Sequence, residues 1–179
     1  MADVVRNRIW TGRLGFAALA LALVFAALLP LGPGVGGLIG PDLLLLLTLV
    51  WVGRRPDHVP LPVVAAVFLL TDLLYGRPPG LWTALVVILT EVLRARAQGL
   101  RGMPFLVEWL TVAVGIVAIT LANRFGHAVA IIPQAPAGLT ILQTVMTIVC
   151  YPAAAGLAYA AFGISRPAPG EMDALGRPL

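Results

Sequence analysis

Apolar residues along this chain come in long unbroken blocks rather than in the i, i+3, i+4 stripes of a soluble amphipathic helix. The blocks cover about 14–31, 43–53, 61–75, 81–92, 105–122 and 139–164. In the second of them no polar face interrupts Leu43 to Val52. A helix that is apolar all round belongs in a membrane or a deep core. The pattern predicts an all-α integral membrane protein with six transmembrane helices. They form one domain over 14–164, after a short polar segment over 1–13 and before a disordered tail over 165–179.

The stretch 38–57, LIGPDLLLLLTLVWVGRRPD, states this pattern most fully. Pro41 suits a first helical turn, where a missing N–H costs nothing. Asp42 falls at the positive end of the helix dipole. Trp51 lies where an interface-anchoring ring is expected, and Arg54 and Arg55 follow as a charge stop. The run 14–31 is longer than the roughly 7–15 residues of a signal-peptide core, and it leads into another membrane run, so it reads as an uncleaved helix. The glycines at 32, 36 and 40 have GxxxG spacing, but Pro33 among them makes 31–40 a loop. The third and fourth runs are short, since about 20 residues are needed to cross a ~30 Å hydrocarbon core. They either borrow their flanks out to Pro60 and Arg96 or form a shallow hairpin around GRPPG (76–80). Two crossings are preferred, because a hairpin tip would hold Arg77 in hydrocarbon. A polar connector is expected over 123–138, and Pro152 predicts a kink in the last helix.

Composition narrows the class. Hydrophobic residues make up 60% of the 179 residues and charged residues 11%, with a mean hydropathy of +0.97. An average soluble domain is about 25% charged. The net charge of +4 does not indicate nucleic acid, because all 12 basic residues are Arg and they cluster between apolar runs. With the N-terminus inside, Arg6, Arg8, Arg13, Arg54, Arg55, Arg94, Arg96, Arg101, Arg166 and Arg177 are cytoplasmic, and only Arg77 and Arg124 lie outside. That asymmetry follows the positive-inside rule. It implies a multi-pass membrane protein of six helices with both termini cytoplasmic. Trp10, Trp51, Trp82 and Trp109 fall near helix ends, as an aromatic belt requires. The single Cys150 excludes an intramolecular disulfide.

Candidate chemistry is sparse. Asp42 and Glu108 read as dipole-stabilised residues at helix starts. Glu91 is placed to pair with Arg94 at i,i+3. Asp72 sits inside an apolar run; it either pairs with Arg77 and pins the loop, or contacts a partner helix or small ligand. His58 and His127 map to opposite sides, so they cannot share a metal. No catalytic set, metal site, cofactor motif or phosphate loop is present in the pattern. A proton relay through Asp42 and Asp72 would lie toward one leaflet, and no internal repeat of a secondary transporter is evident. Ala18, Ala22 and Ala26 fall four apart, a small-residue stripe that lets another helix approach closely.

PDLLLLLTLVWVGRRPD (41–57) together with LLTDLLYGRPPGL (69–81) resembles the rod shape-determining MreD family, most closely its alphaproteobacterial form. Length, number of spans and tail position match over essentially the whole chain, while the specific motifs are these two. The resemblance implies a non-enzymatic scaffold of the cell-elongation machinery, which builds peptidoglycan and maintains cell shape. Its partners would be MreC, the actin-like MreB, and RodA with its class B penicillin-binding protein, in contact with membrane lipid. It also implies a fold similar to the substrate-binding subunits of energy-coupling-factor transporters, in which a small-residue stripe on the first helix serves docking. On that reading the candidates for contact or structural pinning are Pro41, Asp42, Asp72, Arg77 and the alanines 18, 22 and 26. The rival class is a vitamin-type small-molecule binding subunit, which expects a polar, aromatic-lined pocket open to the outside.

Overall fold

The computed structural model describes residues 2–29, 40–100 and 103–162. The expected glycine–proline loop of 31–40, apart from Gly40, and the tail from 165 lie outside the described residues, as does Arg101. Six α-helices follow in order: α1 (Ala2–Leu28), α2 (Leu43–Arg54), α3 (Leu61–Leu74), α4 (Leu81–Leu100), α5 (Phe105–Val129) and α6 (Ala137–Phe162). A single 3-10 turn, Pro56–His58, joins α2 to α3.

Helix α2 is the axis of the bundle. It packs against α1, α4, α6 and the 3-10 turn. Leu45, Leu46, Leu49, Val50, Trp51 and Val52 are all buried on it. Its uniform apolarity therefore reflects neighbours on nearly every side. At 12 residues α2 is about 18 Å long, and α3 at 14 is about 21 Å. Both are shorter than the ~30 Å hydrocarbon core. Among the described residues, three segments are long and apolar enough to cross a membrane: Ile9–Leu28, Phe105–Val129 and Ala137–Ala161. These are also the helices that turn large apolar side chains outward, among them Leu14, Phe25, Val114, Leu121, Val149 and Leu157. A bundle with leucine and valine on its outside suits lipid rather than water. The chain is thus an all-helical protein of membrane character.

Several expectations change. The segment 1–13 is not separate, because α1 begins at Ala2 and runs through Arg13. Pro41 is not in the first turn; it precedes the N-cap Asp42 by one residue. Trp51 does not anchor an interface. Its ring is buried and tilts against Phe16, with centroids 6.1 Å apart. Of the four tryptophans, only Trp10 is exposed, with the Arg13 guanidinium 5.4 Å from its ring centroid.

Several buried threonine hydroxyls are satisfied within their own helices, as an apolar surround demands. Thr48, Thr71, Thr90 and Thr147 each donate to a carbonyl three or four residues back, at 2.7–2.8 Å. Helix α6 continues through Pro152. A proline has no N–H for the carbonyl four residues earlier, here Ile148. Trp109 Nε1 on α5 donates to that same carbonyl at 2.8 Å. Glu108 lies in the first turn of α5, as expected of a dipole-stabilised acid, and it is also buried and accepts a hydrogen bond of 2.7 Å from the Tyr151 hydroxyl. Where α4 and α5 cross, Gly115 gives the closest approach; a Cβ there would collide with Leu89.

The two ends of the bundle differ in charge, as the arginine distribution leads one to expect. At one end, Arg13 Nε donates to the Asp57 carbonyl at 3.1 Å and Arg94 Nη2 to the Val59 carbonyl at 2.6 Å. The expected Glu91–Arg94 pair forms there at 3.3 Å. Arg77 and Arg124 lie at the opposite end.

Candidate functional site

Helix α5 runs seven residues past 122, where its apolar block stops, to Val129. That extension carries Asn123, Arg124 and His127, which with Thr120 fall at i, i+3, i+4 and i+7. Helix α6 repeats the spacing with Thr140, Gln143, Thr144 and Thr147. The helical period puts each set on one face. The two faces line a cavity of about 200 Å³, completed by Asp42 at the start of α2, Arg77 from the α3–α4 turn, Trp82 on α4 and Gln134 between α5 and α6.

The walls are tied together. Arg124 Nη1 donates to Thr140 Oγ1 at 3.0 Å and to the Ala135 carbonyl at 3.3 Å. Gln134 Nε2 donates to the Arg124 carbonyl at 3.0 Å. His127 Nδ1 lies 2.8 Å from the Asn123 carbonyl. A carbonyl only accepts, so Nδ1 carries a proton and donates it to Asn123. Asp42 behaves as expected at a helix start. Its Oδ1 accepts from the Leu45 N–H at 2.9 Å, and its own N–H donates to Thr147 Oγ1 at 3.0 Å. One polar atom of the wall has no such tie. Asn123 Oδ1 is buried without a hydrogen-bond partner among the described residues.

Compared with known proteins, the chain matches no family model, no curated protein and no solved structure. The site therefore rests on its own geometry.

Asp72, the acid that stood out in the sequence, is not part of the cavity wall. It forms no ion pair with Arg77 among the described residues. Its carboxylate is fully buried and turned to the start of α4. Oδ2 accepts from Thr83 Oγ1 at 2.7 Å, from the Gly80 N–H at 3.1 Å and from the Thr83 N–H at 3.2 Å. An acid on one helix thus caps the next. The turn that permits this has left-handed glycines at both ends, Gly76 with φ +61° and Gly80 with φ +92°. Arg77 turns instead toward Tyr75, 5.3 Å from its ring centroid. Its side of the turn faces the cavity.

Of the remaining candidates, Pro41 is half-buried beside Asp42. Ala18 and Ala22 are exposed on α1 and Ala26 is half-buried, none of them lining the cavity. Sequence reasoning brought Asp42 and Arg77 forward separately and missed the wall they share. The signal was present as two polar stripes of helical period, one on each side of Pro133–Pro136. It is hidden because 123–138, with its prolines and polar residues, reads as a connector. Among the described residues no three His, Cys, Asp or Glu side chains gather to hold a metal ion.

Proposed function

We propose that the chain is a non-enzymatic scaffold of the bacterial cell-elongation machinery, an MreD-like protein that receives the transmembrane helix of MreC. The observation that carries this reading is the bare outer face of α1. Gly15, Ala18 and Ala22 are exposed along it, and a Cβ built on Gly15 would meet nothing within 4 Å. Leu14, Leu21 and Phe25 stand exposed beside them. Small residues on a lipid-facing helix let a second backbone approach, and packing then drives association without a hydrophobic gain. Interhelical hydrogen bonds in bilayers average only ~0.6 kcal/mol, so fit along this face outweighs any single polar contact.

In this reading all six helices sit in the inner membrane, and the short α2 and α3 are carried by their longer neighbours. The end with the Pro56–His58 turn faces the cytoplasm together with both termini. MreB, RodA and the class B penicillin-binding protein join through MreC. On this reading the fold would be similar to that of energy-coupling-factor substrate subunits. The rival reading, a vitamin-type binding subunit, draws on the polar cavity with its Trp82. The cavity's volume of about 200 Å³ is below the ~300–1,000 Å³ that hold drug-sized ligands; it is small for a vitamin, which favours the scaffold.

The test is purification of the full chain from cells in mild detergent. MreC is expected to accompany the wild type, and Ala18→Phe with Ala22→Phe should lower its recovery at least tenfold. Full recovery with the double variant removes α1 as the docking face. A wild-type preparation that brings down a transporter ATPase and no MreC overturns the scaffold reading in favour of uptake.

A further inference from the structure

We infer that the cavity between α2, α5 and α6 is a binding site for a phosphate group, carried by a phospholipid headgroup or by a small soluble phosphate ester.

The charges point to an anion. Two guanidinium groups and one carboxylate line the space, and their formal charges sum to +1. The carboxylate, Asp42, is already engaged by the N–H of Leu45. Arg77 is near enough to Asp42 for their charges to attract, without a direct ion pair, and Arg124 forms no ion pair with a carboxylate among the described residues. A cation held in a membrane protein without a counter-charge is costly and is kept where a ligand or pathway uses it. Among the described residues, Arg77 and Arg124 also stand apart from the basic end of the bundle.

The donors point to a group with several oxygens. Arg124 spends Nη1 on Thr140 and Ala135, which leaves Nε and Nη2 for a ligand. Arg77 contributes a second planar fork from another element, the α3–α4 turn. Planar forks suit carboxylate and phosphate oxygens alike, and two of them on separate walls can share a tetrahedral group better than a flat one. Asn123 Oδ1, buried and unpartnered, would accept from a hydroxyl or protonated oxygen of the bound group.

Size fits the same class. A space of about 200 Å³ lies below the ~300–1,000 Å³ of drug-sized ligand pockets, which points to a small polar group rather than a large cofactor. The inference is independent of MreC binding, and failure of the partner experiment leaves it standing.

The test uses the full chain in neutral maltoside detergent and isothermal titration with four probes: inorganic phosphate, glycerol 3-phosphate, dihexanoyl phosphatidylglycerol and the phosphate-free dihexanoylglycerol. Saturable binding of at least one phosphate probe is expected, with none for dihexanoylglycerol. Arg77→Gln with Arg124→Gln should weaken binding at least tenfold. Binding of glycerol 3-phosphate as tight as that of the phospholipid identifies a soluble ester; binding of the phospholipid alone identifies a headgroup. Should the double variant elute as aggregate, Asn123→Asp decides, because it keeps size and adds a negative charge to the wall; it should weaken binding by a similar factor. The inference is overturned if no phosphate probe binds, if dihexanoylglycerol binds equally well, or if affinity survives the variants that fold.

Discussion

Replacing Asp72 with alanine is expected to destabilise the protein by about 2–4 kcal/mol, lowering its thermal midpoint in detergent by roughly 5–15 °C. The carboxylate is fully buried and one of its oxygens, Oδ2, holds the first turn of α4 through two backbone N–H groups and the Thr83 hydroxyl. Alanine leaves those donors facing apolar surroundings with nothing to bond. Hydrogen bonds to a charged acceptor are worth more than neutral ones, about 1.5–3 kcal/mol each, but the losses overlap because α4 can shift to relieve them. Asp72→Asn should cost much less, since its amide oxygen can take the position of Oδ2. The opposite oxygen, Oδ1, has no partner among the described residues, so little is lost there. Thermal unfolding followed by circular dichroism separates the cases. Equal losses for Asn and Ala would show that the negative charge, and not the acceptor, holds α4.

A double-mutant cycle on Trp109 and Pro152 is the second large effect. Trp109→Phe removes the indole N–H from the Ile148 carbonyl, which Pro152 has already deprived of its helical donor. The cost should be about 1–3 kcal/mol, the desolvation penalty of an unpaired carbonyl. With Pro152→Ala in place, residue 152 supplies an N–H to Ile148 and Trp109→Phe should then cost little. The coupling energy read from the four proteins should be about 1 kcal/mol or more, with the sign that makes the two residues interdependent. Additive behaviour would mean that the indole contributes by packing alone.

Both cases show which part of the structure was legible beforehand. The alternation of apolar blocks and breaks located all six helices, because in lipid the backbone must satisfy itself and helix is the cheapest way. The cap at Asp42 and the Glu91–Arg94 pair were legible because they depend on spacing of three to four residues along one helix. Asp72 was not, since its partners are 8 and 11 residues away across a turn. Its polarity announced importance but not the direction in which the side chain points. Trp51 misled for a related reason. A tryptophan near a helix end looks like an interface anchor, and only the packing of Phe16 from α1 onto it makes it core. The cavity fell between these cases. Its α5 and α6 faces carry a readable helical period, but the extension of α5 to Val129 rests on contacts that sequence does not display, among them Gln134 folding back onto the Arg124 carbonyl.

The shortness of α2 bears on how the protein is made. A helix of about 18 Å cannot satisfy a bilayer alone, and an apolar run of 10–14 residues behaves as a core element rather than an independent span. The ribosome delivers α2 and α3 before α4, α5 and α6 exist, yet the walls of α2 are largely built from α4 and α6. Until those segments are made, α2 lacks most of the neighbours that bury its apolar side chains in the finished bundle.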